Sequence, residues 1–389
     1  MIRKIPLILA GMAASALGLA LQGATAAAAS GGGASWQIVP SPNPGTFPTL
    51  LAVGDNSASD AWTVGYYANS TNSTYFSLAE HWTGSAWAVI PTPNPFGNEN
   101  ILKSVADLAP GNAWAVGYSA DTSNYYNPVY QPLIEHWDGT GWSTSPAATD
   151  SNGLADVLSG VAAVSATDVW AVGNHFDAGI GGQDGLIEHW DGSRWSIVPS
   201  PTGALYLTSV AAISASDVWA AGEASTGGQP VFEHWDGKAW TAVSGPPVSA
   251  SYLAAISITA VSADDVWAVG TTRQAVRGAP YQTLAEHWNG HKWSIVPSPD
   301  PVTGNNLFLQ AAAVSSSDVW AVGYDYGSTG GASPLLANWD GTKWHVVPAP
   351  VPSGTSYNEL AAVAALPTGT VWAVGRSDYE DLIINTSNG

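Results

Sequence analysis

The chain has 389 residues, 46% of them apolar and only 10% charged, with 30 acidic against 10 basic side chains and no cysteine. A formal charge of −20 leaves no basic footprint for phosphates, which argues against nucleic acid and anionic membrane as partners. Without Cys there is no disulfide frame, and a chain of this length can bury a core without one.

The N-terminus has its own composition. Met1-Ile2-Arg3-Lys4 is basic, Ile5 to about Leu21 is apolar, and Ala24-Thr25-Ala26 and Ala27-Ala28-Ala29 are small-residue cleavage sites. Residues 1–29 therefore read as a secretory signal peptide rather than a retained anchor, because Gly and Ser interrupt the run. No later apolar stretch approaches the ~20 residues of a spanning helix. The expectation is a protein released outside the cell, without membrane insertion, in which residues 30–389 form one domain.

From there the chain repeats itself with a period of about fifty residues, the mark of a β-propeller. The clearest copy is Asp168-Val169-Trp170-Ala171-Val172-Gly173, a variable stretch, Leu186-Ile187-Glu188-His189-Trp190-Asp191-Gly192, then Trp195-Ser196-Ile197-Val198-Pro199. The first Trp recurs as Trp62, Trp114, Trp170, Trp219, Trp267, Trp320 and Trp372. The second recurs as Trp82, Trp137, Trp190, Trp235, Trp288 and Trp339, and the third as Trp36, Trp87, Trp142, Trp195, Trp240, Trp293 and Trp344. Together they account for all 20 Trp, which marks them as core. Each repeat reads as four strands, here Leu158 to Val164, Asp168 to Gly173, Leu186 to Trp190 and Trp195 to Pro199. Asp168 and its counterparts Asp60, Asp217, Asp265 and Asp318 read as turn formers, and Asp191-Gly192 as a tight hairpin turn. The Pro-rich stretches that follow suit an edge strand.

The seventh copy lacks its final Trp strand, and the missing piece stands at the front of the chain as Trp36-Gln37-Ile38-Val39-Pro40. The predicted fold is therefore all-β: a seven-bladed propeller of four-stranded antiparallel blades, its ring closed by the N-terminal strand, leaving no exposed sheet edge.

The repeated pairs Glu80-His81, Glu135-His136, Glu188-His189, Glu233-His234 and Glu286-His287 invite a metal reading. Neighbours on a strand point to opposite faces, so each Glu diverges from its own His. Sheet-to-sheet hydrogen bonding is the expected role, and no metal or other cofactor is expected. Candidate recognition residues come from the variable segments between second and third strands, which share one face. Of the 14 Tyr, eleven fall there, including Tyr66, Tyr67, Tyr118, Tyr125, Tyr126, Tyr130, Tyr281, Tyr324, Tyr326 and Tyr379. With Ser, Asn and Gly around them they form an adaptable recognition surface of low entropic cost. His175, Asp177, Arg273 and Arg277 are the unusual polar residues of the same face.

The Val-Trp-Ala-Val-Gly run, variable loop, aromatic-Asp-Gly and following Trp resemble the kelch type of propeller, as in galactose-oxidase-like domains. The kelch double Gly is a single Gly here, as at Gly173 and Gly270. The similarity is greater to secreted, Trp-rich bacterial propeller repeats of unassigned function. Galactose oxidase chemistry requires a Cys joined to a Tyr, which this chain lacks. Sialidase-like propellers use three Arg and Ser-x-Asp-x-Gly-x-Thr-Trp boxes; the chain past residue 29 has only Arg194, Arg273, Arg277 and Arg376, and no such box. The function expected is a monomeric, non-catalytic extracellular module that binds a glycan or a protein through the Tyr-rich face. A polysaccharide-acting hydrolase or lyase and a passive envelope or matrix component are the alternatives.

Overall fold

The computed structural model describes residues 35–387 except 70, 72–73, 125–127, 149–155, 178–181, 202–203, 225–228, 249–251, 328–330 and 367. The predicted leader, Tyr125 and Tyr126 lie outside the described residues, and Asp177 is described by its backbone alone. The described chain holds 28 strands and no helix. They form five four-stranded antiparallel sheets and one eight-stranded sheet. The larger sheet divides into two antiparallel sets of four, joined by one parallel pairing of Tyr75 with Glu99. The strand Ser35–Ile38 pairs antiparallel with Glu380–Ser387 at the other end of the chain, setting Trp36 opposite Thr386.

The third repeat shows how the sequence makes a sheet. Its strands are Val157–Ser165, Asp168–Asp177, Gly182–Trp190 and Trp195–Ile197. The middle pair is longer than the sequence indicates: pairing continues through His175 with Asp184 to Asp177 with Gly182. Much of each stretch expected as a variable loop is thus strand, and Tyr66, Tyr118, Tyr130, Tyr281, Tyr324 and Tyr326 all lie within strands. Tyr, Ser and Gln alternate there without the apolar periodicity that betrays a half-buried strand, which explains why these extensions are hidden in the sequence.

The single Gly of the repeat has a steric cause. A Cβ on Gly173 would overlap the Val157 carbonyl oxygen of the first strand, and Gly65, Gly117, Gly222, Gly323 and Gly375 face the same collision. A register shift sits beside this point in the first strand, between Leu158 and Gly160 in the third repeat, and likewise in the other six repeats. The bulge pushes the first-strand carbonyl toward the second strand, and only Gly leaves it room.

Aromatic rings fasten one set of four strands to the next. Trp170, 1% exposed, stacks on His189 at 4.2 Å and meets Trp235 at 5.0 Å and Trp240 at 5.3 Å on the following sheet. The angle of 81° to Trp240 is the edge-on packing that the ring quadrupole favours. The same contact runs from Trp62 to Trp137 and Trp142, and from Trp372 of the last sheet to Trp82 and Trp87 of the first. Trp36 meets Trp320 edge-on at 5.3 Å. The second Trp also donates from Nε1 to the carbonyl of the turn ahead of the second strand, as Trp190 does to Ala166 at 3.2 Å.

The repeated Asp has a different task from the one its sequence position implies. Oδ1 of Asp60, Asp168, Asp217 and Asp265 lies 2.5, 2.9, 2.8 and 2.8 Å from Nε2 of His81, His189, His234 and His287. The register that sets Trp170 opposite His189 brings the imidazole within reach of Asp168. The turn itself is held by Ser165, whose Oγ accepts the Thr167 N–H at 3.2 Å. Where the pair changes, an amide replaces one partner: Asn112 faces His136 at 2.9 Å, and Asn338 donates to Asp318 at 2.7 Å.

The glutamates before these histidines point the other way and are fully buried. Burial pushes Glu80 and Glu188 up to about 7 and Glu135 and Glu286 up to about 8. Three reach the segment that follows the preceding fourth strand: Glu80 accepts from Ser41 Oγ at 3.1 Å, Glu188 from the Ala148 N–H at 2.8 Å and Glu233 from Ser200 Oγ at 2.7 Å. Neither carboxyl oxygen of Glu135 or Glu286 has a partner among the described residues.

Candidate functional site

The residue after the repeat's Gly is where the sheets stop being alike. In chain order it is Tyr66, Tyr118, Asn174, Glu223, Thr271, Tyr324 and Arg376, each paired with a first-strand residue: Thr49, Ile101, Val157, Tyr206, Ala254, Leu307 and Glu359. In every repeat the Gly before it and the register shift beside it recur, while this residue changes.

Four of these copies build an arc of aromatic and charged side chains. Tyr66 and Tyr118, 8% and 5% exposed, pack with Leu51 and Ile101 and with the half-buried Tyr75 and Tyr130. The rings meet at 5.5 Å for Tyr66–Tyr75 and 5.7 Å for Tyr118–Tyr130. Burial, then the Glu99 carboxylate, pushes the Tyr118 hydroxyl well above the usual phenol range. Burial also raises Tyr66, against the Arg376 guanidinium, which pulls it down. Lys103 Nζ stands 5.6 Å from the Tyr118 ring centre, and desolvation pushes its ammonium down to about 8.

The other limb of the arc is a hydrogen-bonded chain. Tyr326 donates to the Tyr357 hydroxyl at 3.3 Å, and Tyr357 donates to Glu359 Oε2 at 2.6 Å. Arg376 Nη2 lies 3.5 Å from Glu359 Oε1, and its guanidinium lies 4.8 Å from the Tyr357 ring centre. Tyr324 leans edge-on against Tyr326 at 5.2 Å. Burial and the bond to Glu359 hold the Tyr357 phenol protonated far above its ordinary range. The Arg376 Nε is a buried donor without a partner among the described residues. The arc thus gathers packed aromatic rings, phenols bonded in a chain and one carboxylate–guanidinium pair.

Not all the residues singled out in the sequence reach this arc. Tyr67 stacks on Phe76 at 5.4 Å, and Tyr379 stands 69% exposed on the turn between Ser377 and Glu380. Arg273 donates to the Tyr281 hydroxyl at 3.2 Å on another sheet, with Arg277 exposed beyond it. His175 belongs to a sheet outside the arc and faces Asp184 across the strand pair. The carboxyl pairs that the fold does assemble are buried: Ser41 bridges Glu80 and Asp381, and Asn56 links Asp60 to Asp107. No group of three or more His, Asp and Glu able to hold a metal occurs among the described residues. Glu99, Lys103, Tyr357, Glu359 and Arg376 are absent from the sequence-derived candidates. Their signal is positional: Arg376 occupies, in the last copy, the slot after the Gly that holds Tyr66, Tyr118 and Tyr324 elsewhere.

No protein-family model matches the chain, and no curated protein is similar to it in sequence. Solved structures do resemble it. YCF48 bound to D1 peptide is 14% identical, with a TM-score of 0.58 over 91% of this chain and 97% of that one. YCF48 from Cyanidioschyzon merolae is 16% identical, with a TM-score of 0.56 over 91% and 99%. The RRP9 WD40 repeats are 12% identical, with a TM-score of 0.54 over 90% and 99%. At these identities the likeness speaks for architecture alone, and with the four-stranded antiparallel sheets and the repeat it makes the fold a β-propeller.

Proposed function

We propose that this chain is a secreted, non-catalytic binding module on a seven-bladed propeller, its recognition surface the tyrosine arc and the hairpin ends around it. The observation that carries the reading is the contrast at one repeat position. The Gly is kept by a steric demand, while the next residue changes into Tyr66 and Tyr118, which share one cluster, and into Tyr324 and Arg376, which flank Tyr357. Recognition residues placed on a rigid scaffold are the expected pattern for a binding propeller.

The count of seven blades is supported by 28 described strands taken four at a time. Closure is supported by the packing of Trp372 on Trp82 and Trp87 and by the pairing of Ser35–Ile38 with Glu380–Ser387. Secretion rests on residues 1–29, and mass spectrometry of the exported protein would test it by the new N-terminus. The partner is a glycan or an extracellular protein; the solved complex of YCF48 with a peptide gives the second option a structural precedent.

The test is a screen of the labelled chain from residue 30 on a glycan array and a peptide library. Tyr326→Ala and Arg376→Ala should each weaken the hits at least tenfold while melting as cooperatively as the parent. Hits that survive both changes would refute the arc as the binding surface.

A further inference from the structure

Among the described Phe, Tyr and Trp side chains, only Phe47 and Tyr379 are exposed, and they touch each other. They come from opposite ends of the chain. Phe47 follows the N-terminal strand and its Pro-rich segment, and Tyr379 tips the last hairpin turn. Their rings meet at 5.1 Å and 74°, forming the corner of an open cleft of about 370 Å³ that Pro48, Asn43 and Glu380 also line.

The backbone holds this corner out at a cost. Only three non-glycine residues in the described chain have positive φ, and all three are here: Asn43 at 48°, Phe47 at 50° and Asp378 at 49°. Asn and Asp adopt that region readily, but for Phe it is an outlier. The left-handed turn keeps Phe47 37% exposed in a chain that buries every first and third Trp but Trp36. Strain of this kind persists where surrounding contacts fix it, and the contacts are present. Asn43 Oδ1 accepts the Asp381 N–H at 2.6 Å, Thr46 donates to the Asn69 carbonyl at 2.8 Å, and Asp378 Oδ1 accepts the Tyr357 N–H at 2.9 Å. The backbone under both rings is therefore anchored, while Phe47 and Tyr379 stay 37% and 69% exposed.

We propose that this corner is a subsite for one neutral pyranose ring of a glycan, stacked on Tyr379 against the Phe47 edge with a hydroxyl donated to Glu380. The proposal rests on the reading of this face as a binding surface and names its ligand class and a place on it. A pyranose presents a flat patch of C–H groups rimmed by hydroxyls, which matches a shallow right-angled aromatic corner beside a carboxylate. The Glu380 carboxylate and the formal charge of −20 disfavour uronic, sialic or sulfated sugars.

The test titrates neutral gluco-, manno- and chito-hexaose into the chain from residue 30, with a Lys-rich decapeptide as the contrasting probe. Tyr379→Ala, in an exposed turn, should weaken binding of the recognised hexaose at least tenfold without changing the melting temperature. Phe47→Gly, which relaxes the backbone while removing the ring, should weaken it similarly. A hexaose whose affinity is unchanged by both substitutions but lost in Tyr326→Ala would overturn the subsite and keep the arc. Failure of all three hexaoses to bind, or decapeptide binding lost in the same two variants, would overturn the sugar assignment.

Discussion

Glu135 gives the sharpest test of how this protein carries its buried charge. Its side chain is fully buried, neither carboxyl oxygen has a partner among the described residues, and burial pushes it from 4.5 up to about 8. A raised carboxyl binds its proton more tightly in the folded state. Its contribution to stability is thus complete below about pH 4.5 and is lost as the pH rises to about 8. At 1.36 kcal/mol per unit, the full window corresponds to roughly 5 kcal/mol, and water penetration on ionisation halves this to about 2–3 kcal/mol. Glu135→Gln keeps the shape and is neutral at every pH, so it retains what the parent loses. Urea unfolding followed by Trp fluorescence should show parent and variant nearly equal at pH 5, with the variant more stable by about 2–4 kcal/mol at pH 8. The other raised carboxyls are common to both proteins and drop out of the difference. A difference that is the same at both pH values, or a variant that is weaker at pH 8, would refute the reasoning.

Three further perturbations address the frame. Gly173→Ala drives a Cβ into the Val157 carbonyl and should cost about 1–3 kcal/mol or more, whereas Gly182→Ala, with nothing within 4 Å, should change stability by less than about 1 kcal/mol; equal losses in urea titrations would show that the close approach is not what selects Gly. Asp168→Asn should be tolerated, because Asn112 already serves His136 at 2.9 Å, while Asp168→Ala strands His189 and should cost about 1–3 kcal/mol by the same assay. Removing residues 30–44 deletes the strand paired with Glu380–Ser387 and the Trp36–Trp320 contact, and should lower the melting temperature by many degrees or abolish folding. An unchanged transition would disprove ring closure by that strand.

The frame was legible because it repeats. Twenty Trp at three fixed positions, with Gly, Asp-Gly and Pro in step, locate four strands per copy and the core between sheets. What stayed hidden depends on distances between copies. The Asp168–His189 pair could be found only from the register of two strands, and the sequence alone favours the commoner turn role for that Asp. The arc lies where the periodicity gives out. Tyr66 and Tyr118 are prominent as residue types, but nothing local shows that they are 8% and 5% exposed and share an environment with Arg376 from the far end of the chain. Phe47 is less legible still, because its exposure follows from a positive φ that sequence assigns to Gly or Asn.

The junction of the chain ends differs from the other sheet-to-sheet contacts, and the difference explains why unusual chemistry collects there. Elsewhere the fourth strand and the segment after it continue from the same repeat, so one short connection fixes both. Here Ser35–Ile38 must find Glu380–Ser387 across the whole chain, with Thr386 opposite Trp36 where the other six copies pair two Trp. Polar groups make up the deficit: Ser41 Oγ donates at 3.1 and 3.2 Å to Glu80 and lies 3.2 Å from Asp381, and Asn43 accepts the Asp381 N–H. Burial raises Asp381 well above the ordinary carboxylate range, and the Glu80 carboxyl adds to the shift. The two acids therefore lock the ends best when at least one is protonated. The left-handed turns at Asn43 and Phe47 are the route by which the chain leaves that lock for its first full sheet. The seam where the chain ends pair thus holds two exposed rings in a fixed relation, which the uniform junctions, built from buried Trp, have no means to do.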